Sequence, residues 1–505
     1  MAATDATDID ATGTGDVPVA DARSTTPEQN RVIWLLLAAA FVAILNETTM
    51  GVAIPHLIGD LGISALQAQW LTTAFMLTMA VVIPVTGFLL QRFTMRAMFV
   101  AAMSLFSLGT LVAVVSPGFE MLVVARVVQA SGTAIMLPLL MTTIMTVVPP
   151  HARGRMMGRV SLVMALAPAI GPTVSGLLLD TLGWRWIFGV VLPIALVVLF
   201  AGARWIHNLG STRTAPVDVL SVVLSAFGFG GLVYGLSQIG AAGDGSSPDA
   251  GALTGITLAV SFGVGVVALA LFVWRQLLLQ RRDDALLDLR VFRSTNFTLS
   301  VVYFTLMSAA FFGAITVLPL YLNTALGVSS LDTGLLVLPG SLAMGLAGPL
   351  VGRVYDRWGT RVLLVPGAII TSGSLWMFTT FDAHTSVWIV AVVQTVMMIG
   401  LALSFTPLFT ASLGSLPPRF YSYGSAVVST MQQVAGAAGI ALMFTVMAAA
   451  SAGAHSAGLG DADVSASGAH AAFLIAAIVS LPLIVGAFLI RKPADSIGEG
   501  APTGH

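Results

Sequence analysis

The chain has 505 residues, 57% of them hydrophobic and only 9% charged, with a mean hydropathy of +0.94 and a formal net charge of −1. So few charges cannot cover a soluble domain of this length, and the balanced sign gives no basis for nucleic-acid binding. Cysteine is absent, which removes disulfides, thiolate metal sites and a cysteine nucleophile together.

Residues 1–30 are acidic and small, with no apolar run, and read as a disordered tail rather than a signal peptide. From Val32 onward, apolar runs of about 20 residues recur, the length that crosses roughly 30 Å of hydrocarbon. Breaks at charges and Pro/Gly clusters give fourteen spans: 32–55, 68–90, 97–115, 120–146, 157–179, 185–205, 217–239, 252–275, 296–321, 331–352, 361–380, 386–410, 423–449 and 469–490. The fold class is therefore an all-α polytopic membrane protein. Basic residues test the count, because they collect in cytoplasmic loops. With both termini cytoplasmic, 20 of the 22 basic residues fall inside, Arg185 falls outside and Arg126 lies within a span. A wrong count would scramble that alternation.

Shifting the chain by 265 residues aligns Leu61-Gly62 and Ser64 with Leu326-Gly327 and Ser329, Pro84 with Pro349, and Gly87 with Gly352. The same register aligns Arg92 with Arg357 and Arg96 with Arg361. Spans 1–6 thus repeat as spans 9–14. The expected organisation is a tail over 1–30, a six-helix bundle over 31–206, and two additional helices with an amphipathic cytoplasmic linker over 207–294. A second bundle over 295–491 and a tail over 492–505 complete it. Parallel repeats of this kind are a transporter architecture, with the substrate site between the halves near the midplane.

Several stretches carry polar chemistry within this frame. In span 1, LNETTMGVAIP (45–55) places Glu47 in a run with no other charge. GFLLQRFTMR (87–96) and its copy GRVYDRWGTR (352–361) follow spans 2 and 10, and their Gly and Arg residues suit close helix approach and interfacial anchoring. Span 4 holds LVVARVVQASGTA (122–134), where a charge at Arg126 costs about 2.5–3.5 kcal/mol or more. Gln129 and Thr133 continue one face from Arg126, so that stripe points toward something polar. Span 5, MALAPAIGPTVSGLLLD (164–180), combines two prolines with small residues and reads as a bendable, closely packed helix.

These stretches, in this order and spacing, resemble the major facilitator superfamily. The family carries Gly-x-x-x-Asp-Arg-x-Gly-Arg in both loops. The second copy retains Gly352, Asp356, Arg357, Gly359 and Arg361, whereas the first has Gln91 and Thr94 at the acidic and second glycine positions. In the family this loop latches the halves together on the cytoplasmic side, which assigns gating to Gly87, Arg92, Arg96, Gly352, Asp356, Arg357 and Arg361. Span 4 resembles the Arg-x-x-Gln-Gly motif tied to proton transfer, with Ala130 in place of Gly. Span 5 resembles the antiporter motif Gly-x-x-x-Gly-Pro-x-x-Gly-Gly through Gly171, Pro172 and Gly176, with Ala167 and Ser175 replacing glycines. WRWIF (184–188) and ALLDLRVFRSTNF (285–297) resemble the same branch, the latter reading equally as an interfacial amphipathic helix. Residues 32–490 together resemble the fourteen-helix drug:proton antiporters of the EmrB/QacA subfamily, in the flavour of the lincomycin-resistance-type exporters. The implied fold is the major facilitator fold, two pseudo-symmetric six-helix bundles plus two inserted helices. The usual span-1 pattern there is Leu-Asp-x-Thr. Here Asn46 takes the acid's place, and the carboxylate comes one residue later, about 100° round the helix.

Glu47 lies about eight residues, or roughly 12 Å, from the outer end of its span, and Arg126 about six residues, or roughly 9 Å, from the outer end of its own. Similar depth and opposite sign point to a shared polar cavity, with Glu47, Arg126 and Gln129 as proton-coupling residues. Expected cavity residues are Asn46, Met50, Thr73, Met136, Tyr303, Met307, Gln394, Met398 and Gln432, and the abundant Met and Phe suit shape-tolerant lipophilic binding. The expected function is proton-coupled export of lipophilic small molecules, such as drugs or antibiotics, across the cytoplasmic membrane by alternating access. A dedicated exporter of a metabolite, lipid or siderophore is the alternative on the same fold. An intramembrane enzyme or a non-transporting receptor is a remote one. No Walker-type loop is present, so no cofactor is expected and the proton gradient supplies the drive. The partners are cargo, protons and the lipid bilayer, with no nucleic acid. A monomer is expected, and a periplasmic adaptor is not indicated.

Overall fold

The computed structural model describes residues 26–63, 65–207, 218–241 and 248–493. Most of the tail expected over 1–30, and that over 492–505 from residue 494, lie outside the described residues. Among the described residues, fourteen helices are long and apolar enough to cross a membrane. They are α1 (Pro27–Leu61), α2 (Ala65–Arg92), α3 (Met95–Val115), α4 (Phe119–Val147), α5 (Arg153–Leu182), α6 (Arg185–Trp205) and α7 (Val219–Ala241). The remainder are α8 (Pro248–Leu279), α9 (Thr295–Thr324), α10 (Ser330–Trp358), α11 (Arg361–Phe378), α12 (Val387–Gly414), α13 (Tyr421–Ser456) and α14 (Asp461–Leu489). Helices are what hydrocarbon demands, since every backbone N–H and C=O must be satisfied within the segment. Chain entry is specified by sequence at α1, where Thr26 and Gln29 close a capping box just ahead of Pro27.

The internal repeat is visible in the backbone. α1 ends at Gly62 (φ 62°) and α9 is followed by Gly327 (φ 65°), 265 residues on, both left-handed positions that favour glycine. The short 3-10 turns Pro150–Ala152 and Pro418–Phe420 precede α5 and α13 and stand 268 residues apart, after a longer connection between α11 and α12. Helices α1–α6 and α9–α14 form two bundles, and α7 packs against both α2 and α13 with α8 behind it. Both described ends of the chain lie on one side, the terminal face.

On that face the two bundles touch at two seams related by the repeat. In one, Gly158 of α5 lies so close to α10 that a Cβ there would sit 2.8 Å from the Gly348 carbonyl carbon and 2.9 Å from Pro349 Cα. In the other, a Cβ on Gly87 of α2 would sit 3.1 Å from Ala426 Cβ on α13. The hydroxyl pairs Ser161–Thr406 (2.6 Å) and Thr142–Ser425 (2.9 Å) join the halves between these seams.

The linker between α8 and α9 departs from the amphipathic helix considered for 285–297. It forms an irregular segment and a 3-10 turn, Leu289–Arg293. The physical reason is local: the Asp288 carboxylate accepts from the Arg290 backbone N–H and side chain, while Leu286 and Leu287 donate their N–H groups to Gln276 Oε1. Those bonds pin the backbone away from helical pairing.

Candidate functional site

A cavity of about 460 Å³ lies between the bundles at mid-height. It is walled by α1, α2, α4 and α5 on one side and α9, α10, α12 and α13 on the other, with Val233 of α7 at its edge. Met76, Met79, Met344, Phe311, Phe312 and Phe405 make much of the wall apolar, and Gln432, Gln433 and Ser429 of α13 provide amide and hydroxyl groups. Among the described residues, Glu47 is the one ionisable side chain on this wall.

Behind the wall, Arg126 is 1% exposed. Its Nη1 donates to Asn46 Oδ1 (3.0 Å) and to Gln129 Oε1 (2.7 Å), and its guanidinium lies over the Phe75 ring at 4.1 Å. Gln129 Nε2 in turn donates to Thr110 Oγ1 at 2.8 Å. Arg126 forms no ion pair among the described residues. Asn46 and Glu47, adjacent on α1, thus divide two tasks: the amide meets the arginine and the carboxylate meets the cavity.

α5 fixes the height of Glu47. A Cβ on Gly171 would meet Thr48 Cβ at 3.2 Å, and Ser175 Oγ donates to Thr49 O at 3.0 Å. The small residues of the antiporter-like stretch therefore seat α1 beside its acid. Gly176 faces open space, and the side chain of Pro172 lies outside the described residues.

The expected residues separate clearly. Met136, Met398 and Gln432 line the cavity beside Glu47, whereas Asn46, Met50, Thr73, Tyr303, Met307 and Gln394 do not. Met50 is buried against Leu57 and Ile187 in a core above the cavity, and Met307 and Tyr303 are buried within the second bundle, Tyr303 Oη lying 3.5 Å from Ser404 Oγ. Thr73 is half-buried on α2 away from the cavity. Gln394 is fully buried, and neither of its amide heteroatoms has a hydrogen-bond partner among the described residues. On α9 the wall begins at Phe311 and on α12 at Met398, so Tyr303, Met307 and Gln394 lie before the stretches that line it, and Met50 lies beyond the stretch of α1 that does. Phe311 and Phe312 were not anticipated, although the 265-residue repeat carries Asn46–Glu47 onto them.

The two loop motifs meet the opposite bundle in mirrored ways. Asp356 accepts the backbone N–H groups of Gly154 (2.8 Å) and Arg155 (2.8 Å) at the start of α5, where the helix dipole favours a carboxylate. Gln91, its repeat mate, donates to Arg419 O (2.8 Å) and Ser422 Oγ (3.0 Å) at the start of α13. A neutral amide thus makes the corresponding tie with reversed hydrogen-bond polarity. Gly352 opposes Gly154, and a Cβ there would sit 3.0 Å from Arg155 Cα. Arg92 and Arg357 lie near the Phe93 and Trp358 rings, and Arg96 and Arg361 are exposed on the terminal face.

A family model described as Major Facilitator Superfamily matches residues 36–440. The chain belongs to the major facilitator superfamily. Among curated relatives it is similar to the MFS-type transporter YcnB of Bacillus subtilis, 40% identical over 92% of this chain and 95% of that one. It is 39% identical to the lincomycin resistance protein LmrB of Listeria monocytogenes, over 83% of this chain and 86% of that one. A multidrug export protein, EmrB of Haemophilus influenzae, is 29% identical over 81% of this chain and 78% of its own. Among solved structures, the human organic anion transporter MFSD10 superposes with a TM-score of 0.63 at 13% identity, covering 92% of this chain and all of that one. The proton:xylose symporter XylE gives a TM-score of 0.62 at 13% identity over 91% and 97%. Those two likenesses establish the fold. Family membership makes the protein a multi-pass membrane transporter rather than an enzyme.

Proposed function

We propose that the protein is a proton-coupled antiporter that exports lipophilic small molecules, antibiotics among them, across the cytoplasmic membrane by alternating access. The observation that carries this reading is Glu47, the one charged group among the described residues on the wall of a Met- and Phe-rich cavity between two repeat-related bundles. Relatives named for lincomycin resistance and multidrug export support the cargo class. The terminal face is the cytoplasmic one, as the distribution of arginines supports. The Gly158–Gly348 and Gly87–Ala426 seams then close the cytoplasmic side, and their separation gives cargo access from within. A carboxyl group reached by water from alternate sides takes up a proton outside and releases it inside, and each proton moving down 100 mV yields about 2.3 kcal/mol.

The reading is tested in a strain lacking its own exporters. Expression should raise the inhibitory concentration of lincomycin or ethidium severalfold, and an uncoupler should abolish ethidium efflux. Unchanged sensitivity to a broad lipophilic panel would contradict drug export, and efflux that persists in the uncoupler would contradict proton coupling.

A further inference from the structure

The two lateral sides of the cavity are built differently. Between α5 and α10 the bundles pack directly up to cavity height, where a Cβ on Gly345 would sit 3.1 Å from Cβ of the wall residue Ala165. Between α2 and α13, the close approach of Gly87 to Ala426 lies on the terminal face. Higher up, the inserted helix α7 packs against both helices, and its Val233 reaches the cavity wall.

The sequence of α7 specifies this placement. Helices in lipid associate through close packing, which small residues permit, and GFGGLVYG (228–235) supplies them on two faces. Gly230 turns toward α2, where a Cβ would meet Val81 Cγ2 at 3.3 Å; Gly231 turns toward α8, where one would sit 3.0 Å from Gly265 Cα. Val81 lies between Met79 and Ile83, which line the cavity, so α7 covers the flank of α2 beside its cavity-facing stripe. The Trp70 and Tyr234 rings, 5.7 Å apart, add a contact between the same two helices. At the terminal face, Gln276 of α8 donates to Ser221 of α7 (2.8 Å) and accepts the Leu286 and Leu287 N–H groups of the linker. Tyr423 of α13 donates to Ala285 O in that linker (3.3 Å). The inserted pair is thus fastened to both bundles.

An apolar cavity open sideways in a bilayer has no water to exclude, and acyl chains, as apolar as leucine, would fill it in competition with cargo. We propose that α7 is the lateral wall of the cargo site: it bars acyl chains from the gap between α2 and α13, and Val233 sets how bulky a cargo fits on that side. The role of Val233 toward cargo rests on the export reading above; the barrier to lipid does not.

The barrier is tested in proteoliposomes made with a phospholipid that carries a nitroxide in mid-chain. Because the chain has no cysteine, Met79→Cys on the cavity wall takes a single bimane label, and Val267→Cys on the exposed side of α8 gives the lipid-facing reference. The nitroxide should quench the label at 267 strongly and that at 79 weakly. Adding Gly230→Leu, which wedges α7 off α2, should raise quenching at 79 severalfold. Val233→Ala, which leaves the grip of α7 intact, should raise it in part and serves where Gly230→Leu does not fold. Quenching at 79 as strong as at 267, or unmoved by either substitution, overturns the barrier.

Cargo size is read by equilibrium titration with ethidium and the bulkier rhodamine 6G. Val233→Trp should weaken rhodamine 6G binding about tenfold more than ethidium binding, by overfilling that side. Val233→Ala should shift the ratio of the two affinities the other way. A ratio unchanged in both variants removes Val233 as the size limit. A native protein that binds neither probe counts against the export reading, and the quenching result then decides the barrier by itself.

Discussion

Arg126 donates to Asn46 Oδ1 at 3.0 Å, while the next residue on α1, Glu47, turns onto the cavity wall. One step along the helix separates the group that satisfies the buried cation from the group that faces the cavity. Removing the acceptor leaves a buried guanidinium short of a partner, a loss worth about 1.5–3 kcal/mol for a hydrogen bond to a charged group. Asn46→Ala should therefore lower the thermal unfolding midpoint in detergent. Asn46→Asp keeps an acceptor in reach and should lose less. Equal midpoints for the native protein and Asn46→Ala would show that the bond contributes nothing.

The α5–α10 seam on the terminal face has no room for side chains. Gly158→Val should wedge it apart, and about 1.4 kcal/mol of overpacking shifts the balance of states on the order of tenfold. Because the chain has no cysteine, Ser161→Cys supplies a single reporter between α5 and α12. A bulky, impermeant thiol reagent applied from the terminal face should label it about that much faster when Gly158→Val is also present. An unchanged rate would mean that the seam does not hold this side closed.

The fourteen spans, the twofold repeat and the family were legible in the sequence because hydrocarbon thickness, arginine placement and helix-end glycines leave a mark at fixed intervals. Glu47 and Arg126 were legible for a related reason: a charge inside an apolar run is costly and therefore conspicuous. The cavity wall was much less so. Met307, Tyr303 and Gln394 lie before the stretches of α9 and α12 that line it, which begin at Phe311 and Met398, since where a cavity opens along an almost wholly apolar helix is set by packing that sequence does not display. Phe311 and Phe312 lacked any polar signal, and only the repeat register pointed to them. The 285–297 segment has helical apolar spacing, but side-chain bonds from Asp288 and Gln276 overrode it.

The inserted pair α7–α8 is tied at the terminal face by Asp218, which accepts from Arg275 Nε (2.7 Å) and Nη2 (2.8 Å) and from the Ser221 hydroxyl. The Arg275 bonds hold the Asp218 carboxyl below its ordinary range. A carboxyl group lowered in the folded state contributes stability above the unfolded value, about pH 4, and loses it as pH falls through the folded value. Amide exchange at the start of α7 should thus accelerate below about pH 4. In Asp218→Asn that acid-dependent step should be absent. The same step in both proteins would assign it to another group.

Phe312 stands opposite Glu47 in the repeat and lines the cavity. Phe312→Ala should weaken binding of an aromatic cargo such as ethidium about tenfold, the equivalent of 1.4 kcal/mol, through lost apolar contact. Protein stability should change less than for truncation of a close-packed core phenylalanine such as Phe304, because the cavity already leaves one side of the ring free. Unaltered ethidium affinity, read by equilibrium titration, would remove Phe312 from the cargo surface.

The central claim is that Glu47 carries the exchanged proton, and inside-out vesicles test it most directly. With an acidic lumen reported by a quenched amine dye, lincomycin or ethidium should trigger dequenching as protons leave in exchange for cargo. Glu47→Gln, expressed and folded to the same level, should give none. Dequenching at the native rate in Glu47→Gln would contradict the account.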